Sequence, residues 1–199
     1  MNKNVIQERS DTMLLSPLRF CHQLLSDSIS YGDTVIDATV GNGHDTIKLA
    51  QLVGNTGKVY GFDIQNSAIE ETKKKVLLTG LTNQVELIHD GHEQIKQYIG
   101  SDAIQAVVFN LGYLPKSDKT IITLPDTTLS AIEQSLDSLV PGGLVVIMVY
   151  YGHDGGQEEK NAVESYLKTL PQEDYSVLKY GFMNQKNTPP FLIAIEKKR

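Results

Sequence analysis

The stretch Asp37-Ala38-Thr39-Val40-Gly41-Asn42-Gly43-His44-Asp45-Thr46 closes an apolar run, residues 34–40, and opens an amphipathic segment running from Asp45 to Val53. That order reads as the turn from a β-strand into an α-helix. Glycines at 41 and 43 let the backbone approach a ligand closely, and the helix start offers free N–H groups and the positive end of its dipole. A phosphate or a carboxylate can dock in such a turn. A dinucleotide fingerprint would place a third glycine at position 46, where threonine stands, and the pyrophosphate reading is weakened accordingly.

On either side of this turn, apolar runs alternate with amphipathic ones, the order that a mostly parallel sheet covered by helices requires. Ser16 followed by Pro17 supplies a capping hydroxyl and a proline that needs no N–H, so a first helix is predicted from there to about Ile29. After strand 34–40, further strands are predicted over 58–63, 85–89, 106–110 and 144–150, the last following a turn at Pro141-Gly142-Gly143. A helix over 66–79 carries the i,i+4 pairs Glu70/Lys74 and Glu71/Lys75 and stops at Gly80. Another begins near Gln157. The runs 176–182 and 191–195 are separated by a polar loop containing Pro189-Pro190 that is too short for a helical crossover, which predicts an antiparallel pair at the sheet edge. One domain spanning residues 1–199 is expected.

Composition narrows the function. The longest unbroken apolar run, 144–151, is too short to cross a bilayer, and the first fifteen residues lack a secretory pattern, so a soluble, cytoplasmic protein is expected. Cys21 is the single cysteine, which excludes an internal disulfide and a thiolate zinc centre and suits a small buried apolar residue on the first helix. The net charge of −6 argues against a broad phosphate footprint. Lys116, Lys119, Lys179 and Lys186 would supply a local cationic patch if they gathered at one cleft; ordinary surface charge is the alternative.

Four further motifs carry chemistry. Asp63 ends the second strand about twenty residues after the glycine turn, where a carboxylate accepts from ribose hydroxyls; capping the helix that follows is the other role open to it. In His89-Asp90-Gly91-His92, Asp90 is the candidate for an adenine amino group, and the two histidines lack a third ligand that would make a metal site. Asn110-Leu111-Gly112-Tyr113-Leu114-Pro115 falls at the end of the fourth strand, at the edge where open α/β sheets bind ligands. Tyr150-Tyr151-Gly152-His153-Asp154-Gly155-Gly156 follows the fifth strand; it is either a substrate loop, with His153 relaying a proton, or a turn into the next helix. Tyr113, Tyr150 and Tyr151 are candidates for stacking on an exposed base, Tyr150 being the one expected to pack inside.

The glycine turn resembles the Asp-x-Gly-x-Gly-x-Gly pattern of class I methyltransferases at Asp37, Gly41 and Gly43, with Thr39 in place of the first glycine. The loop at Asn110 resembles the Asn/Asp-Pro-Pro-Tyr loop of amino-group methyltransferases at Asn110 and Tyr113, with Leu111 and Gly112 replacing the prolines. Together the motifs resemble a small family of bacterial methyltransferases once described as rRNA methylases, whose members methylate the amine of 5-aminomethyl-2-thiouridine at the tRNA wobble position. The resemblance implies a Rossmann-like α/β fold with a mostly parallel seven-stranded sheet, a C-terminal antiparallel pair and helices on both faces. It implies S-adenosylmethionine as cofactor, the tRNA anticodon stem-loop as partner, a homodimer, and no metal. On this resemblance Asp37, Thr39, Gly41, Asn42, Gly43, Asp45, Thr46, Asp63, Gln65, Asp90, Gly91, His92, Asn110 and Gly112 bind cofactor. Asn110, Tyr113 and His153 are the catalytic candidates, while Tyr113, Lys116, Tyr151, His153 and Gly155 meet the substrate. A small-molecule N-methyltransferase, an rRNA methyltransferase and a cofactor-binding protein without catalysis are the alternatives.

Overall fold

The computed structural model describes residues 13–113 and 122–199; Leu114, Pro115, Lys116 and Lys119 lie outside the described residues. In chain order the elements are α1 (Pro17–Ser28), β1 (Thr34–Asp37), α2 (His44–Val53), β2 (Lys58–Phe62), α3 (Asn66–Leu78), β3 (Val85–Ile88), α4 (Ile95–Ile99), β4 (Ile104–Leu111), α5 (Pro125–Ser138), β5 (Leu139–Val149), α6 (Gly156–Leu167), β6 (Tyr175–Tyr180) and β7 (Phe191–Lys197). The strands form one seven-stranded sheet in the order β3-β2-β1-β4-β5-β7-β6. Strands β1 to β5 run parallel, whereas β7 is antiparallel to both β5 and β6. The predicted edge hairpin is therefore present, with its second strand inserted between β5 and β6.

Period-two alternation sorts the strand residues into two cores. Val35, Val59, Ala106, Val108, Val146 and Met148 cluster with Cys21 and Leu25 of α1 and with Leu49, Ala50 and Val53 of α2. Their neighbours Ile36, Tyr60, Val107, Phe109, Val145 and Ile147 cluster with Ala131, Ile132 and Leu136 of α5 and with Val163 and Leu167 of α6. Each fully buried aliphatic side chain contributes roughly 1.5–3 kcal/mol, so this two-sided burial is what holds the sheet between its helices. Cys21 is fully buried in the first of these cores. No helix among the described residues is long and apolar enough to cross a membrane.

Local chemistry sets the element ends. Ser16 Oγ accepts from Arg19 N at 3.3 Å and starts α1. β1 stops at Asp37, short of the predicted Val40, because the Asp37 carboxylate takes the Thr39 N–H at 3.2 Å and turns the chain. Alternate backbone bonds still continue, from Ala38 N to Val108 O and from Val40 N to Phe62 O, both at 2.9 Å. β5 begins at Leu139 rather than Leu144. Its register jumps from Ile104↔Leu139 to Ala106↔Leu144, so Pro141-Gly142-Gly143 forms a bulge within the strand instead of a turn before it. A proline without an N–H is accommodated at such a bulge, outside the ladder.

The strand order reverses at β1, with β2 on one side and β4 on the other. The loops leaving β1 and β4 diverge there, and the crevice between them is where open parallel sheets bind ligands.

Candidate active site

The crevice is a cavity of about 960 Å³ walled by the loops that follow β1, β2, β3, β4 and β5 and by α1. On the β2 side, Asp63 Oδ2 accepts from Gly41 N and Oδ1 from Gln65 N, each at 2.8 Å. The carboxylate thus ties the glycine turn to the start of α3 and retains lone pairs for hydroxyl donors. Burial raises its pKa against the lowering effect of those two N–H bonds. His92 Nδ1 lies 3.1 Å from Ala38 O, which places the ring proton on Nδ1 and leaves Nε2 as an acceptor. That Nε2 is buried without a partner, and burial lowers the His92 pKa, keeping the ring neutral.

Asp37 lies behind the turn. It is fully buried, accepts from Thr46 Oγ1 at 2.6 Å, and burial, with the nearby charge of Asp45, pushes its carboxyl up to about 7. Gly43 has a φ of +74°, and a Cβ there would meet Thr72 Oγ1 at 2.5 Å, so glycine is required where α2 and α3 approach. Asp37, Gly43 and Thr46, predicted as cofactor ligands, are absent from the cavity wall and shape the turn from within. Asp90 is likewise off the wall; it accepts from Gly91 N and the Tyr98 hydroxyl, both at 2.8 Å. His92, two residues on, takes its place in the cavity.

On the β4 side, Asn110 is held at both ends. Its backbone N–H donates to Thr39 Oγ1 at 2.7 Å, and its Nδ2 donates to Asp45 Oδ2 at 2.8 Å. The departure from the glycine pattern at position 39 therefore has a structural role, joining the first and fourth motifs. The other oxygen of Asp45 bonds His22 Nε2 at 2.8 Å. Burial pushes the Asp45 pKa up, but the bonds from His22 and Asn110 outweigh it and hold the group below the usual carboxylate range.

Gly112, at φ +145°, donates its N–H to Thr123 Oγ1 at 2.9 Å, while Thr123 N donates to Gly112 O at 3.0 Å. Thr123 Oγ1 in turn donates to Glu159 Oε2 at 2.6 Å, and Thr128 Oγ1 donates to Glu159 Oε1 at 2.7 Å. Glu159, on α6, is only 2% exposed. Against this braced loop lie Tyr113 and His153, their rings edge to face at 5.5 Å. His153 Nδ1 lies 3.0 Å from Asp154 O, so the proton sits there and Nε2, buried without a partner, is an acceptor.

Of the residues singled out in the sequence, Thr39, Gly41, Asn42, Asp45, Asp63, Gln65, His92, Asn110, Gly112, Tyr113 and His153 line one cavity. Gly91, Tyr151 and Gly155 do not. Tyr151 packs on Phe191, centroids 5.7 Å apart, and Gly155 caps α6 with a left-handed backbone. Tyr150 is 39% exposed and lines the cavity, reversing the expected roles of the two tyrosines. His22, Thr123 and Glu159 were not anticipated: nothing local in sequence pairs His22 with a partner 23 residues away. His89 Nε2 lies 3.1 Å from the Ile64 carbonyl. No group of three or more metal-ligating side chains occurs among the described residues.

Comparison with known proteins agrees with this architecture. The chain is 38% identical over 185 residues to the chloroplastic tRNA (mnm(5)s(2)U34)-methyltransferase of Arabidopsis thaliana, a match that covers 88% of this chain and 68% of that protein. The crystal structure of a "putative rRNA-methylase" from Clostridium thermocellum superimposes with a TM-score of 0.91 at 45% identity, covering 94% of this chain and all of that one. A "putative methyltransferase" from Streptococcus mutans, solved in complex with SAH, matches with a TM-score of 0.86 at 44% identity over 93% of this chain and 99% of that one. The family model described as "Putative rRNA methylase" matches residues 59–196, and the chain belongs to that family.

Proposed function

We propose that the protein transfers a methyl group from S-adenosylmethionine to the primary amine of 5-aminomethyl-2-thiouridine at the wobble position of tRNA, giving 5-methylaminomethyl-2-thiouridine. The observation that carries this reading is the setting of Asn110, whose NH2 is committed to Asp45 while its Oδ1 is left to accept from an amine, on the same cavity wall as Tyr113 and His153. The name of the plant relative supports the same substrate.

S-adenosylmethionine supplies an electrophilic methyl group on a sulfonium that departs as a neutral thioether. The residues fit it: Asp63 accepts from ribose hydroxyls, His92 Nε2 is an acceptor for the adenine amino group, and the Gly41–Gly43 turn admits the backbone of the methionine end. In-line displacement at carbon needs alignment above all, so the main task of the substrate side is to orient the amine. Asn110 Oδ1 takes an amine N–H and directs the nitrogen lone pair toward the methyl. Tyr113 stacks on the extruded base, and His153 Nε2 accepts the proton released as the N–C bond forms. The anticodon stem-loop as partner, a cytoplasmic location and a homodimer belong to the same proposal.

Purified protein should incorporate methyl into tRNA that carries 5-aminomethyl-2-thiouridine and leave tRNA lacking the aminomethyl group untouched. Equal incorporation into both, or incorporation into rRNA alone, would refute the substrate.

A further inference from the structure

We propose that His22 and Asp45 are positioning residues that hold the carboxamide of Asn110 in the single orientation competent for amine recognition. This inference rests on the reading of Asn110 given above.

A carboxamide has two nearly isosteric orientations with opposite hydrogen-bonding character. Only the one that turns oxygen toward the amine can accept its N–H; the flipped one offers donors, which bond the nitrogen lone pair that must attack the methyl. The backbone of Asn110 is fixed by Thr39 Oγ1 at 2.7 Å, so rotation of the side-chain amide is the freedom that remains. Asp45 Oδ2 removes it. An ionised carboxylate only accepts, so at 2.8 Å it demands the NH2 of Asn110 and rejects the oxygen.

Asp45 is itself held. His22 Nε2 lies 2.8 Å from Oδ1, and because a carboxylate faces it, that nitrogen carries the proton. The Asp45 side chain is 13% exposed and that of His22 is 33% exposed, so the bond is shielded without His22 being packed into the core. Asp45 stands in the first turn of α2, where the helix dipole favours its negative charge. The chain His22–Asp45–Asn110 thus links α1, α2 and the end of β4, and all three residues line the cavity.

Turnover with aminomethyl tRNA, S-adenosylmethionine affinity by calorimetry, and solvent exchange of the Asn110 side-chain NH2 by NMR together test the idea. His22→Leu should lower turnover about tenfold or more and leave cofactor affinity within about twofold. His22→Gln, which can still donate to Asp45, should recover most of the loss. The double variant His22→Leu/Asn110→Ala should turn over no more slowly than Asn110→Ala alone, since both act on one group. The Asn110 NH2 should exchange at least about fivefold faster in His22→Leu than in the wild type. If His22→Leu disrupts α1, His22→Ala takes its place. Unchanged turnover and exchange, losses that add in the double variant, or a His22→Gln no better than His22→Leu would each overturn the proposal. A wild type inactive on aminomethyl tRNA would defeat the functional reading, and the exchange rates would still decide whether His22 and Asp45 fix the amide.

Discussion

At the scale of the residue, two aspartates at neighbouring strand ends do separate work. Asp63 lines the cavity, and in the proposed cofactor site its loss removes a charged acceptor for the ribose. Asp63→Ala should weaken S-adenosylmethionine binding by about 1.5–3 kcal/mol, read by calorimetry; unchanged affinity in a folded variant would remove Asp63 from the site. Asp37 acts on stability instead. Burial raises its folded pKa from 3.8 to about 7, so the folded state holds a proton that the unfolded chain has already released. Stability from this group is therefore greatest in acid and falls as pH rises between those two values, by an amount on the order of a few kcal/mol. Asp37→Asn keeps the bond accepted from Thr39 N and reverses the other, its NH2 donating to Thr46 Oγ1, without carrying charge. Its Tm should gain on that of the wild type from about pH 5 to about pH 8. Parallel Tm curves would show that Asp37 titrates normally.

At the scale of the element, α6 braces the loop after β4 through one buried side chain. Glu159 accepts two hydroxyl bonds, and one of those hydroxyls holds Gly112. Glu159→Ala strands the buried Thr128 hydroxyl, frees the part-buried Thr123 hydroxyl and opens a void, which should cost about 2–4 kcal/mol in denaturant unfolding. A change below about 0.5 kcal/mol would show that water replaces the carboxylate. The sequence does not single out Glu159, and the packing of α6 over Thr123 and Thr128 reveals its part. The contact between α2 and α3 is equally specific. Gly43→Ala combines a left-handed backbone with a Cβ pressed on Thr72, and the variant should lose at least about 1–2 kcal/mol. Adding Thr72→Ala should return part of that loss; no recovery would place the cost in the backbone alone.

At the scale of the whole molecule, a net charge of −6 must be reconciled with the proposed RNA substrate. Lys179 is engaged by Glu164 at 2.6 Å and lies over the Phe191 ring, so it is no free phosphate ligand. On the proposed tRNA substrate, few phosphate contacts are expected. The Michaelis constant for tRNA should rise only about tenfold between about 50 and about 200 mM salt, as for roughly two released counterions. A rise of about a thousandfold would reveal a broad electrostatic interface.

The fold was legible because its signals are local: alternation of apolar residues marks strands and their faces, and a glycine pair between strand and helix marks the binding edge. Asp63, Asn110, Tyr113 and His153 could be located from their places at strand ends. The insertion of β7 beside β5, the exchange of roles between Tyr150 and Tyr151, the withdrawal of Asp37 and Asp90 from the cavity, and the links of His22 to Asp45 and of Glu159 to Thr123 were decided only by the tertiary structure. Each depends on which distant segments pack together and on where a side chain points once strand periodicity has ended, and short-range sequence pattern carries neither.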